Sequence, residues 1–186
     1  MLMAKRARER VFLALFLPPR LRPAVATLQR QFGAGESFRS VDPQKLHFTL
    51  VFLGELSRSE RLCVMAITRG IAQRQRRFTL TLRKRSGTFH QPDGRSDILF
   101  VGVQKSRPLQ SLQRNLELAF QESALIRSSR RFVPHLMIGR VSHQQPQFSA
   151  SLPRLAWIVH EIAIVTSTPV GTHHRYTIWK RISLKP

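Results

Sequence analysis

The stretch Leu46-His47-Phe48-Thr49-Leu50-Val51-Phe52-Leu53-Gly54 constrains this chain more than any other. It is a short run of β-branched, aromatic and aliphatic residues closed by glycine, the composition of a buried strand. Two polar residues interrupt it. Strand side chains alternate between faces, so His47 and Thr49 stand side by side, an imidazole next to a hydroxyl. Burying both costs free energy unless polar groups meet them there. Such a strand either satisfies a local network or builds one wall of a site.

A second stretch repeats the pattern. In Arg131-Phe132-Val133-Pro134-His135-Leu136-Met137-Ile138-Gly139-Arg140-Val141 a histidine again precedes an apolar strand. Pro134 places the start of that strand near a sheet edge, because proline cannot donate to a ladder. Each half of the chain carries further strands and at least one amphipathic helix. Two pseudo-equivalent lobes, each giving one strand histidine to a shared groove, form the simplest architecture that uses this symmetry.

Periodicity supplies the remaining elements. Residues 11–17 read as the first core strand, stopped by Pro18-Pro19. Leu21, Val25, Leu28 and Phe32 form a helical stripe over 20–32, ended by Gly33-Ala34-Gly35. Residues 38–44 read as a connection. Ser57 and Glu60 have the spacing of a capping box and open a helix to about residue 74, with Leu62, Met65, Ala66 and Ile71 toward the core. Cys63 in that helix reads as a small core residue. Residues 78–82 alternate as a strand, 83–94 read as a basic loop or hairpin with a solvated His90, and 98–103 read as a buried strand. A helix over 108–123 presents Leu109, Leu112, Leu116, Ala119 and Phe120 on one face. A polar loop at 142–153, containing His143, precedes two long strands over 155–167 and 174–184. His160 reads as a core residue of the first; His173 and His174 face opposite ways on the second. Strands dominate without a sustained parallel βαβ rhythm, so the predicted class is α+β with mainly antiparallel sheets. No long linker divides the chain: residues 1–10 read as a basic tail and 11–186 as a single bilobal domain.

Charge narrows the partners. The chain holds 31 Lys+Arg against 10 Asp+Glu, a formal charge of +21, and only six of the cations are Lys. That balance calls for polyanions, nucleic acid first, and arginine suits phosphate because its planar fork bonds two oxygens at once. One cysteine excludes a disulfide framework within the chain. The apolar run at 11–17 is too short to span a membrane, and Pro18-Pro19-Arg20 follows it where a secretory signal would have a cleavage site. The expected setting is therefore the cytoplasm, with no membrane partner.

Several chemistries lack their residues. There is no His-x-x-x-His, no cysteine pair and no acidic cluster with ligand spacing, so no metal and no cofactor is expected. A phosphate-binding Gly-x-x-x-x-Gly-Lys loop and a Gly-x-Ser-x-Gly elbow are both missing. Taken singly, a histidine on an apolar strand is more often a satisfied core residue than a catalyst. Paired, two imidazoles can act as acid and base together. A basic protein built on two histidines suits phosphodiester chemistry, and a strained 2′,3′-cyclic phosphate needs one base for water and one acid for the leaving oxygen.

The two motifs resemble those of the 2H phosphoesterase superfamily, in particular the bacterial RNA 2′,3′-cyclic phosphodiesterases also called 2′-5′ RNA ligases. That family carries two His-x-Thr-x motifs. The first is intact as His47-Phe48-Thr49-Leu50; the second is matched by His135-Leu136-Met137-Ile138, and the segments 11–18 and 175–177 are similar too. The resemblance spans nearly the whole chain. It implies a bilobal 2H phosphoesterase-like fold, two mainly antiparallel sheets lining a central groove with helices outside. It implies metal-independent hydrolysis of 2′,3′-cyclic phosphate ends of RNA or a nucleotide to 2′-phosphomonoesters. His47 would be the proton donor and His135 the proton acceptor, with Thr49, Arg140 and Tyr176 binding substrate. Reversal would join a 5′-hydroxyl to the cyclic phosphate as a 2′-5′ RNA ligase.

One residue departs from the pattern. Met137 stands where the second threonine is expected, and a thioether donates no hydrogen bond. Loss of one oxyanion donor can cost roughly 10²–10³ in rate. Arg140 is the candidate replacement; as a strand-end residue it could equally be solvated. Two alternatives stay open: an RNA-binding protein without catalysis on the same fold, its second motif degenerate, or a 2H phosphodiesterase of another cyclic phosphate.

Overall fold

Alternating side chains and caps place the elements in the computed structural model, which describes residues 8–33, 38–91, 96–126, 131–142, 152–171 and 173–186. The strands are β1 (Glu9–Phe16), β2 (Phe38–Ser40), β3 (His47–Leu56), β4 (Phe78–Phe89), β5 (Asp97–Val103), β6 (His135–Val141), β7 (Ala156–Val159), β8 (Glu161–Val170) and β9 (His173–Ser183). The helices are α1 (Arg22–Gln31), α2 (Arg58–Ala72) and α3 (Arg107–Glu122). A four-stranded sheet runs β3-β1-β8-β9 and a five-stranded sheet runs β2-β6-β5-β4-β7. Every pairing between these strands is antiparallel. The class is α+β, and the two histidines open the corresponding strands β3 and β6 of the two sheets.

The helices share one apolar core with the sheet faces they cover. Val25, Leu28 and Phe32 of the first helical stripe, Val64 and Ala72 of α2, and Leu109, Leu112, Leu116 and Phe120 of α3 join Leu13, Phe48, Leu80, Val101, Leu136 and Ile164 in it. Both helices after the first are capped as their sequences dictate. Ser57 accepts from the Glu60 amide while Glu60 accepts from the Ser57 amide, and Ser106 accepts from the Leu109 amide. On the opposite face of the four-stranded sheet, Phe12, Ala14, Ala163 and Val165 form a second, smaller cluster with Phe16, Tyr176 and Ile178 against it.

Both histidine strands carry an extra residue at the same place. Leu13 pairs with Val51 and Ala14 with Thr49, so Leu50 is inserted in β3. Leu99 pairs with Gly139 and Phe100 with Met137, so Ile138 is inserted in β6. A bulge puts two successive side chains on one side, and Leu50 with Val51, like Ile138 with Gly139, are all buried. The alternation then resumes in inverted phase. Phe52 and Arg140, each five residues past its histidine, thereby turn back to the histidine face. The Ile138 carbonyl at the second bulge accepts from the Val41 amide at 3.0 Å and from the buried Gln29 side chain of α1 at 2.8 Å.

The sequence reading needs several corrections. Strand β1 starts at Glu9, inside the expected tail, because Glu9 and Arg10 pair with Leu56 and Glu55. Residues 38–40, read as a connection, pair with β6 as a short edge strand. Of the two readings of 83–94, loop or hairpin, the structure has the hairpin: residues 83–89 extend β4 and pair antiparallel with β5. The strand read over 155–167 breaks at His160, an exposed residue, because β7 belongs to the five-stranded sheet and β8 to the other. Cys63 and Ala66 are exposed, as is Leu62 at 47%; the buried stripe of α2 is Val64, Thr68 and Ala72. His143 and residues 1–7 lie outside the described residues. Among the described residues no helix is long and apolar enough to cross a membrane.

Two glycines should separate packing from backbone effects. A Cβ on Gly139 would overlap the Phe38 ring and lie 2.9 Å from the Arg39 carbonyl oxygen, whereas on Gly70 of α2 its nearest neighbour would be an Arg74 nitrogen at 3.9 Å. Gly139→Ala is expected to cost about 1–3 kcal/mol. Gly70→Ala is expected to stabilise by about 0.5–1 kcal/mol. Urea unfolding midpoints check both; shifts of the same sign would refute the packing account.

Candidate active site

His47 and His135 are held in the same way. The His47 Nδ1–H donates to the Lys45 carbonyl at 2.6 Å, and the His135 Nδ1–H donates to the Val133 carbonyl at 2.7 Å. A carbonyl only accepts, so the proton sits on Nδ1 in both rings. Each Nε2 is left to accept a proton when the ring is neutral and to donate one when it is charged. His135 is close enough to influence the ionisation of His47.

Their surroundings differ. His47 is half-buried among rings: Phe12 at 5.2 Å, Phe16 at 5.5 Å and Tyr176 edge-on at 5.6 Å between centroids. Burial pushes its pKa below the usual 6.5; the Lys45 carbonyl opposes that, and the charge of His135 adds to the lowering. His135 meets the edges of a stacked pair, Phe89 at 5.1 Å and Phe100 at 5.9 Å, the pair itself 4.0 Å apart.

Thr49 follows His47 on the same face, and Met137 follows His135 in the same way. Tyr176 lies on the histidine face against Phe12 and His47. Lys45 donates to the His174 carbonyl at 3.1 Å with its ammonium 5.9 Å from the Tyr176 ring centre. Arg140 is brought to this face by the bulge, opposite Ile98 of β5 and Arg39 of β2.

Arg83 went unnoticed in the sequence. Gly102 pairs directly with His135, and Phe100, two residues before it, touches the His135 ring, so the missing Gly102 side chain would lie on the histidine face. Arg83 occupies that space: its Cδ is 3.3 Å from where a Cβ would stand, and its Nε donates to the Val103 carbonyl at 3.1 Å. Neither residue signals this alone, because the contact exists only across two strands. The other histidines serve elsewhere. His90 is exposed, as expected, while bonding the buried Asp97 at 2.8 Å, and His174 bonds the Ser167 hydroxyl at 3.0 Å. Among the described residues no three His, Cys, Asp or Glu side chains are grouped as a metal site.

The family model of the 2′-5′ RNA ligase superfamily matches residues 17–169. The RNA 2′,3′-cyclic phosphodiesterase of Methanothermobacter thermautotrophicus is 30% identical over 135 residues, 72% of each chain. The protein of that name from Thermus thermophilus is 28% identical over 182 residues, 95% of this chain and 90% of its own. Escherichia coli LigT, solved with 3′-AMP, superposes with a TM-score of 0.81 at 27% identity over 96% of this chain and 99% of LigT.

The ionisation of His47 is measurable by NMR titration of its ring protons. Its pKa is expected below 6.5. Replacing His135 with Gln removes a neighbouring positive charge and should raise the His47 value while burial keeps it under 6.5. An unmoved value would show that the rings are not coupled.

Proposed function

The chain belongs to the 2′-5′ RNA ligase superfamily, and on that premise we propose that it is a metal-independent RNA 2′,3′-cyclic phosphodiesterase. One observation carries the reading: two histidines at the starts of corresponding strands, each with its proton fixed on Nδ1 by a backbone carbonyl, which leaves Nε2 as the atom for proton transfer. The names of the relatives support it.

In the proposed reaction His135 Nε2 takes a proton from water as the oxygen attacks phosphorus. His47, charged, gives its Nε2 proton to the departing 3′-oxygen. The bond from phosphorus to the 3′-oxygen breaks and a 2′-phosphomonoester remains. Thr49 donates to a phosphoryl oxygen from the His47 side. Met137 offers no donor on the other side, and Arg83, beside His135, supplies the positive charge there. With a 5′-hydroxyl in place of water the same groups join two RNA ends: the 5′-oxygen bonds phosphorus, the bond to the 3′-oxygen breaks, and a 2′-5′ phosphodiester remains. Tyr176 and Lys45 border the His47 half, where Tyr176 packs on the ring and keeps water from it. The cytoplasm is the proposed setting.

Turnover of a 2′,3′-cyclic nucleotide in EDTA is the test. Activity is expected, with only the 2′-phosphate as product, and His47→Ala or His135→Ala should each reduce it by about 10²–10⁴. No turnover by the folded protein, as for an RNA-binding protein without catalysis, would sink the reading.

The role of Arg83 is separable by combining variants. Arg83→Ala should lower kcat by about 10²-fold, and Met137→Thr in that background should restore part of the loss. Equal effects of Met137→Thr with and without Arg83 would show that the two positions do not serve the same phosphate.

A further inference from the structure

We propose that Lys45 is a positioning residue: its ammonium latches the outer end of the β8–β9 hairpin over the His47 half of the groove and so seats Tyr176 on the His47 ring. The consequence for turnover rests on the phosphodiesterase reading; the latch itself does not. β1 pairs with β8 from Ala163 to Ser167, whereas β8 and β9 go on pairing with each other to Val170 and His173. Beyond Ser167 the hairpin is therefore a two-stranded ribbon. Such a ribbon is marginal by itself, and contacts outside the ladder decide where its end rests.

Those contacts converge on His47. The Lys45 Nζ donates to the His174 carbonyl at 3.1 Å and stands 5.9 Å from the Tyr176 ring centre. Next to that carbonyl the His174 ring bonds the Ser167 hydroxyl at 3.0 Å, which joins the two strands of the ribbon where Lys45 grips it. Tyr176, two residues on, meets His47 edge-on at 5.6 Å between centroids and Phe12 at 5.2 Å. Lys45 also holds the ring itself, since its own carbonyl accepts the His47 Nδ1–H at 2.6 Å. One residue thus fixes the imidazole with its backbone and the cover of the imidazole with its side chain.

The His174 carbonyl needs a donor from outside the ladder. β9 is an edge strand, and the residue opposite His174 on β8 is Pro169, which has no N–H to give. A charged donor makes the stronger bond to such an oxygen. The titratable groups that face the contact are Lys45, His174 and Tyr176 on this side, with His135 acting on His47 from the other sheet.

Lys45→Met keeps the aliphatic stem and removes the donor; Lys45→Arg keeps a donor. The first readout is the nuclear Overhauser contact between the ring protons of His47 and Tyr176 in the protein without substrate. It is expected in the wild type and in Lys45→Arg, and lost in Lys45→Met. The second is the His47 pKa, which burial holds below 6.5 and which should rise toward 6.5 in Lys45→Met alone. The third is turnover of adenosine 2′,3′-cyclic monophosphate. Lys45→Met should lower kcat by about ten- to a hundredfold with KM little changed, and Lys45→Arg should restore most of it. An Overhauser contact that persists in Lys45→Met overturns the latch, whatever the activity does. A raised KM with kcat unchanged also overturns the positioning role and makes the ammonium a substrate contact instead. Were the wild type to turn over no cyclic phosphate while the contact still vanished in Lys45→Met, the phosphodiesterase reading would fall and the latch would stand.

Discussion

The inserted residue in each histidine strand is the constraint from which the site follows. A regular strand gives one face to positions i, i+2 and i+4. Phe52 and Arg140 stand at an odd spacing from their histidines and would point into the core. For Arg140 that would mean a charge among Leu136, Ile138 and Leu99, at a cost of several kcal/mol. The bulges at Leu50 and Ile138 invert the phase, bury Val51 in β3 and Gly139 in β6, and return the fifth residue to the groove. At the second bulge Gln29 takes up the Ile138 carbonyl and also bonds the Val41 carbonyl at 2.7 Å. The first helix thereby fixes both the bulge and the entry of the chain from β2.

The two halves share backbone geometry and differ in what surrounds the ring. Both imidazoles donate to the carbonyl two residues earlier, a bond each strand makes for itself at its first residue. On the four-stranded sheet the small pair Ala14 and Ala163 leaves room for Phe12, Phe16 and Tyr176 to enclose His47. On the other sheet Gly87 and Gly102 make the room. A Cβ on Gly87 would stand 2.8 Å from the Phe100 ring, and Gly102 admits Arg83. Small residues thus decide that His47 is enclosed by three rings, while His135 stands against the Phe89–Phe100 pair with Arg83 over its neighbour Gly102.

The fold class was legible because it depends on local patterns: the stripes of α1 and α3, the capping box at Ser57 and the apolar runs of β1, β3 and β6. The pairing of histidine strands was legible because the motif recurs. What stayed hidden depends on contacts between distant residues. Strand β2 is three residues long and is defined by its partner β6. The break at His160 separates two sheets without any proline or glycine to announce it. Cys63 and Leu62 were assigned to the core from an apolar count, yet the helix presents Val64, Thr68 and Ala72 instead, and the Thr68 hydroxyl is satisfied by the Val64 carbonyl at 2.7 Å. Arg83 could not be separated from 24 other arginines until Gly102 was seen opposite His135.

The asymmetry of the rings bears on how an acid can be drawn from a histidine whose charged form burial disfavours. Desolvation penalises the imidazolium of His47, and a charged His135 penalises it further. A cyclic phosphate brings a negative charge to the free Nε2. Opposite charge in a site of low dielectric favours the protonated ring, so substrate raises the very pKa that the empty site holds down. In the proposed reaction His47 therefore gains its proton as substrate arrives and loses it as the 3′-oxygen departs. The enclosing rings of Phe12, Phe16 and Tyr176 strengthen that coupling by excluding water, which would otherwise screen both the penalty and its relief.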